Sequence, residues 1–326
     1  MTLDTKTLVD ELRDGNPRAL ARAITRIENR SKGYRELVGE LHRHSTGADI
    51  IGVTGSPGSG KSTLVDKLAA AYRERDERVG IIAVDPSSPY SGGAVLGDRI
   101  RMGSAIGDDG IFVRSMSSRG SLGGLSGATA DAVKAFDAAG MDRVIIETVG
   151  AGQNEVDIVK TADTVLVLVP PQSGDTIQML KAGILEIADV FVVNKADLEG
   201  ANRIVEELLE MIQLAPESEE EETWRQPVIE TVATSGTGVD TLCETVDEHL
   251  GFLDRTGLRE VHARRRYEEE IRTLLRDEVG YLIEDEIEAH GGITELGEAV
   301  RNRETDPYAV VEEIVNPLRA YLSERS

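Results

Sequence analysis

The stretch DIIGVTGSPGSGKSTL, residues 49–64, decides the fold. An apolar run to Thr54 ends in Gly55-Ser56-Pro57-Gly58-Ser59-Gly60-Lys61-Ser62, and an amphipathic pattern starts at Thr63. This is the phosphate-loop pattern G-x-x-x-x-G-K-[ST] between a strand and a helix, the context that it requires. Its glycines let successive backbone N–H groups curl around an anion, and the helix N-terminus that follows favours the same charge. Residues 55–63 are therefore expected to bind a nucleoside triphosphate. Lys61 is expected on the β/γ-phosphates and the Ser62 hydroxyl on Mg²⁺.

The base is read further along. Thr164–Pro171 and Val190–Val193 have the near-continuous apolar character of parallel strands buried on both faces. The second empties into Asn194-Lys195-Ala196-Asp197, which resembles the N-K-x-D guanine motif at the strand end where open α/β sheets bind ligands. A carboxylate at Asp197 can accept from both guanine N1–H and the exocyclic amine. Adenine would present a lone pair at N1 instead, so GTP is favoured over ATP.

Around these motifs, seven strand candidates alternate with helical patterns: 50–55, 79–85, 111–116, 143–147, 165–169, 190–194 and 228–233. The alternation predicts an α/β fold of the phosphate-loop NTPase type, a doubly wound and mostly parallel sheet. Residues 1–45 carry apolar positions at helical spacing, with Asn16-Pro17 as cap and first residue of one helix. From Leu258 the pattern is helical again. One apolar stripe includes Ile271, Leu274, Leu275, Val279 and Leu282, and a last helix begins at Asp306-Pro307. The expected organisation is a helical extension at 1–45, a G domain at 46–255 and a helical extension at 256–326. The last either packs on the sheet domain or pairs with a second copy, and pairing weighs more.

Of 326 residues, 40% are hydrophobic, enough for a substantial core, and no run approaches the ~18 apolar residues of a membrane span. The N-terminus is acidic and amphipathic, unlike a signal peptide. A single cysteine, Cys243, excludes an internal disulfide framework and suits a reducing cytoplasm; its helical surroundings make it a small core residue. The net charge is −23, with eight Lys against 28 Arg. No basic footprint exists for nucleic acid or an anionic membrane. Such acidity with little Lys suggests adaptation to high salt, where screening removes self-repulsion.

Three further acidic residues fall at strand ends: Asp85, Asp98 and Glu147. A carboxylate beside a phosphate loop is where a hard cation such as Mg²⁺ is held.

With GSPGSGKST (55–63), VDPSSPYSGGAVLGDRIRM (84–102), RSMSSRGSLGGLS (114–126), ETVGAGQNE (147–155), QMLKAGILEIAD (178–189) and NKAD (194–197), the chain resembles the MeaB/ArgK family of phosphate-loop GTPases over nearly its whole length. The resemblance implies a cytoplasmic, homodimeric GTP hydrolase. It would act as chaperone of an adenosylcobalamin-dependent acyl-CoA mutase, chiefly methylmalonyl-CoA mutase, in cofactor loading or protection. It further implies Lys61 and Glu147 as the catalytic groups, and Ser62, Asp85, Asp98 and Glu147 around Mg²⁺. Asn194, Lys195 and Asp197 would serve guanine, with Val232-Ala233 as the last base-contacting segment. Many GTPases have Ser-Ala there. Residues 172–186 match a further switch facing the mutase. Two other readings remain open: a kinase linked to amino-acid transport, and a GTPase of nickel insertion. The second would need clustered Cys or His, and only His42 and His44 come close. Unlike Ras-type proteins, the chain has Ala151 directly after Gly150, and Gln153 comes two residues late. Slow intrinsic hydrolysis, accelerated by a partner, is the expectation.

Overall fold

In the computed structural model, residues 4–86, 103, 107–118, 127–148, 161–171, 186–214 and 222–323 are described. The chain falls into two compact units, residues 1–262 and 263–326.

The first unit opens with helices α1 (Thr5–Arg13), α2 (Pro17–Glu28) and α3 (Tyr34–Arg43). Asn16 caps α2, its side chain accepting from the N–H groups of Arg18 at 3.0 Å and Ala19 at 3.4 Å, as Asn-Pro at a helix start predicts. Strands and helices then alternate: β1 (Asp49–Gly55), α4 (Lys61–Glu74), β2 (Val79–Pro86), β3 (Ile111–Ser118), α5 (Gly127–Ala138), β4 (Arg143–Thr148), β5 (Thr164–Val169), β6 (Val190–Asn194), α6 (Ala201–Leu214), β7 (Val228–Thr231) and α7 (Val239–Thr256). Each of the seven strand expectations is met to within about two residues.

The strands form one sheet in the order β3-β2-β4-β1-β5-β6-β7, and every pairing is parallel. Successive side chains of a strand point to opposite faces, and the core divides accordingly. Val53, Ile81, Ile145 and Leu166 pack with Leu64 and Leu68 of α4 and with Leu242 and Val246 of α7. Ile82, Val84 and Ile146 pack instead with Phe136 of α5 and with Leu12, Ile24 and Leu37 of the N-terminal helices. Val167, Phe191 and Val193 pack with Ile204 and Leu208 of α6. Helices thus cover both faces, the doubly wound arrangement expected. Cys243 is fully buried in the first of these clusters.

Because all seven strands run the same way, their carboxyl ends share one edge. The phosphate loop leaves β1 there, and Asp85, Glu147 and Asn194 all sit at strand ends on that edge.

Helix α8 (Leu258–Ala289) runs across the boundary between the units. The second unit also holds α9 (Gly292–Arg301) and α10 (Pro307–Ser323). Asp306 caps α10 by accepting from Tyr308 N–H at 2.9 Å. The apolar stripe of α8, including Ile271, Leu274, Leu275 and Leu282, is exposed, while Val310 and Ile314 are buried. Among the described residues no helix is long and apolar enough to cross a membrane.

Candidate nucleotide-binding site

The loop that follows β1 has backbone angles that only glycine adopts without strain. Gly55 stands at φ +139° and Gly60 at +95°, and a Cβ on Gly60 would run into the Asn194 side chain. Gly58 and Pro57 are exposed, whereas Ser56 and Ser59 are buried. The Ser59 hydroxyl and the Ser56 hydroxyl have no hydrogen-bond partner among the described residues.

Lys61 opens α4 and is only 6% exposed. Its ammonium donates to the loop's own carbonyls, Gly55 O at 2.7 Å and Ser56 O at 3.0 Å. The lysine therefore lies inside the loop, at the N-terminal end of the helix dipole, where a phosphate oxygen can take the place of a carbonyl. The next residue, Ser62, donates from Oγ to Glu147 Oε1 at 2.6 Å. Glu147 is buried at the end of β4. Two hard oxygen donors beside an anion cradle fit Mg²⁺, which prefers oxygen and is held by few protein groups. Thr63 is exposed on the same turn.

The guanine motif is tied directly to this loop. Asn194 is buried, and its Nδ2 donates to Ser59 O at 2.7 Å. Its Oδ1 accepts from Thr231 Oγ1 and from the Ala233 N–H, both at 3.1 Å. Lys195, with φ at +61°, donates from Nζ to Gly58 O at 2.8 Å. Asp197 is exposed in the turn that follows. Val232 donates its N–H to Thr237 O at 3.0 Å.

The structure thus brings together residues 55–63, Glu147, Asn194, Lys195, Asp197, Val232 and Ala233 on one edge. Asp85 lies at the end of β2, but its side chain is outside the described residues. Asp98, Gly150, Ala151 and Gln153 are also outside them, with most of 84–102, 114–126 and 172–186. Among the described residues no group of three or more His, Cys, Asp or Glu could hold a metal ion. Sequence reasoning missed that Asn194 clamps three segments at once. It also missed that Asn194 holds the N–H of Ala233, a residue of the segment expected to contact the base.

Residues 20–288 match the family described as "Methylmalonyl Co-A mutase-associated GTPase MeaB". The chain belongs to this family. As a MeaB-family protein it is a GTPase of the phosphate-loop class. A relative from Pyrococcus abyssi whose name assigns it to the GTPases is 46% identical over 311 residues, covering 95% of this chain and 96% of that one. GTPase ArgK of Escherichia coli is 31% identical over 259 residues, 76% of this chain and 77% of its own. The methylmalonic aciduria type A homolog of Mus musculus, a mitochondrial protein, is 34% identical over 251 residues, 72% and 60% of the respective chains. A crystal structure of a LAO/AO transport system kinase superposes with a TM-score of 0.70 at 23% identity, covering 98% of this chain and 100% of that one. That likeness concerns the fold alone.

Proposed function

We propose that this MeaB-family GTPase uses GTP and Mg²⁺ to chaperone an adenosylcobalamin-dependent acyl-CoA mutase, methylmalonyl-CoA mutase above all. The observation that carries the reading is the match of residues 20–288 to a family described as mutase-associated. The mouse relative's name points to methylmalonic metabolism as well.

In this reading Lys61 leaves the carbonyls of Gly55 and Ser56 for the β/γ-phosphates. Ser62 and Glu147, with Asp85 and Asp98, hold the cation, which neutralises charge on the phosphate oxygens when bound. Asp197 and Lys195 read guanine, and Asn194 keeps Asp197 and the phosphate loop in register through Ser59. Val232-Ala233 closes the base pocket from the other side.

The division into 1–45, 46–255 and 256–326 is part of the proposal. The exposed stripe at Ile271, Leu274, Leu275 and Leu282 supports homodimerisation through the C-terminal helices. The net charge of −23 supports a cytoplasmic setting of high ionic strength.

The test is a steady-state GTPase assay in high salt, with and without the cognate mutase. A partner that binds the GTP-ordered form best tightens GTP binding in return. The expected acceleration is at least about tenfold, ~1.4 kcal/mol on the barrier. No acceleration together with no GTP-dependent complex would remove the chaperone role.

A further inference from the structure

Thr54 and Thr148 are 1% and 0% exposed, and Thr148 Oγ1 donates to Thr54 Oγ1 at 3.0 Å. Thr54 is the last residue before Gly55, where the phosphate loop begins, and Thr148 directly follows Glu147. The backbone register between β1 and β4 ends one residue earlier, at Val53↔Glu147. Each strand continues on its other side: β1 stays paired with β5 as far as Gly55↔Leu168, and β4 stays paired with β2 as far as Val84↔Thr148. Among the described residues the hydroxyl bond therefore links β1 and β4 beyond their last backbone pair.

Shape does not explain the choice of residue. Valine has the form of threonine, and the sheet around these positions is built of Val, Ile and Leu. A buried hydroxyl costs free energy unless it is bonded, so two bonded Thr gain little in stability where two Val would pack. Successive residues of a strand face opposite ways. Glu147 is bonded to Ser62 on one side of β4, and Thr148 is bonded to β1 on the other.

From this we infer that Thr54 and Thr148 form a positioning latch. It fixes the end of β4 against the root of the phosphate loop, so that the Glu147 carboxylate meets Ser62. The inference rests on the assignment of Ser62 and Glu147 to the magnesium site. The latch touches neither nucleotide nor metal and acts through Glu147.

The experiment measures release of a fluorescent GDP analogue from the full chain against free Mg²⁺, beside thermal melts. For Thr148→Val, the Mg²⁺ concentration that half-slows release rises at least about fivefold. Release in EDTA stays within about twofold of wild type, because Lys61 and Asn194 are untouched. Thr148→Ser keeps the hydroxyl and the wild-type requirement. The double variant Thr54→Val/Thr148→Val removes both partners of the bond, which is nearly neutral for stability. Its melting temperature returns toward wild type while its raised Mg²⁺ requirement remains. If Thr148→Val does not fold, the double variant and Thr148→Ser decide. An unchanged Mg²⁺ requirement, or one that recovers in step with stability, overturns the latch. A wild-type protein whose GDP release ignores Mg²⁺ defeats the assignment of Ser62 and Glu147, and the latch with it.

Discussion

Ser62 Oγ and Glu147 Oε1 lie 2.6 Å apart, joining the first turn of α4 to the end of β4 across 85 residues of sequence. The contact holds a buried carboxylate at the phosphate loop in a position where it can serve a cation. Glu147→Gln keeps the shape and removes the charge. Loss of a group that orients a metal's ligands costs about 10–100-fold in affinity or activity. The expected outcome is a loss of that size in GTPase activity at limiting Mg²⁺, partly recovered at high Mg²⁺. A magnesium titration of the variant that overlays wild type would remove Glu147 from the site.

Lys61 tests the loop itself. Its ammonium donates to Gly55 O and Ser56 O inside the loop, where it can also reach a phosphate oxygen. Lys61→Ala is expected to lower turnover by about 10²–10³, the size of effect seen when one donor to developing charge is lost. The circular dichroism spectrum should stay that of a folded chain. Wild-type GTPase activity in such a protein would refute the role.

In the proposed site base choice turns on Asp197, which is exposed in the turn after β6. Replacing its carboxylate by an amide turns an acceptor into a donor. Asp197→Asn should weaken GTP and favour xanthosine triphosphate, whose C2 carbonyl meets that donor. The discrimination expected is about 1–3 kcal/mol, as for other bidentate base contacts. Competition binding with GTP, ATP and XTP measures it, and an unaltered preference for GTP would move base recognition elsewhere.

How much of this was legible in the sequence depended on how local the signal is. Buried parallel strands are apolar runs, so Thr164–Val169 and Val190–Asn194 announce themselves. The phosphate loop and NKAD are each set by a few adjacent residues. Links between distant segments leave no such trace. Asn194 reaches Ser59 over 135 residues, and Thr148 reaches Thr54 over 94. A threonine that completes a bond reads in sequence like one that fills a strand. The stripe at Ile271, Leu274 and Leu275, exposed in the structure, was legible as a helix face with two candidate covers, the sheet domain or a second copy, because periodicity shows which residues share a face and not what covers them.

Arg143 is a hub that the sequence hid. At the start of β4, on the sheet edge away from the phosphate loop, its guanidinium meets Glu77 at 2.5 Å, Asp247 at 2.9 Å and Asp49 at 3.1 Å. It also stands over the Tyr72 ring at 4.9 Å from the centroid. The side chain is 11% exposed; burial works against its charge, but the Glu77 hydrogen bond and the nearby Asp49 outweigh it and raise its pKa. Arg143→Met leaves three carboxylates facing one another with their shared counter-charge gone. Removal of one partner from a buried pair costs about 3 kcal/mol or more. Urea denaturation should show that loss, with GTP affinity in the folded fraction unchanged. A loss below about 1 kcal/mol would mean that Arg75 and Arg259, which pair with Asp247 and Asp49, suffice.

The same edge holds a pair of groups whose titrations oppose each other. His249 is buried, with Nδ1 at 2.8 Å from Thr164 Oγ1, Nε2 at 3.5 Å from Asp189 Oδ1 and the Trp224 ring against it. Burial lowers its pKa to about 4, below the ~6.5 of an exposed histidine. Burial also raises Asp189 to about 7, against ~3.9 for an exposed aspartate. Between about pH 4 and 6.5 the unfolded chain protonates the histidine and not the aspartate, while the folded chain does the reverse. Each state then holds one proton on the pair, so the pair adds little pH dependence to stability in that window. Asp189→Asn removes the compensation. With His249 alone, the unfolded state binds the extra proton, so stability is full above pH 6.5 and falls toward pH 4. The slope approaches about 1.4 kcal/mol per pH unit. His249→Gln has the opposite sign, because folded Asp189 holds a proton that the unfolded chain has lost. Its stability is fullest near pH 4 and declines as pH rises through 7. Urea denaturation at half-unit steps from pH 4 to 7.5 compares the three proteins. Parallel curves for wild type and both variants would show that neither group titrates as its burial requires.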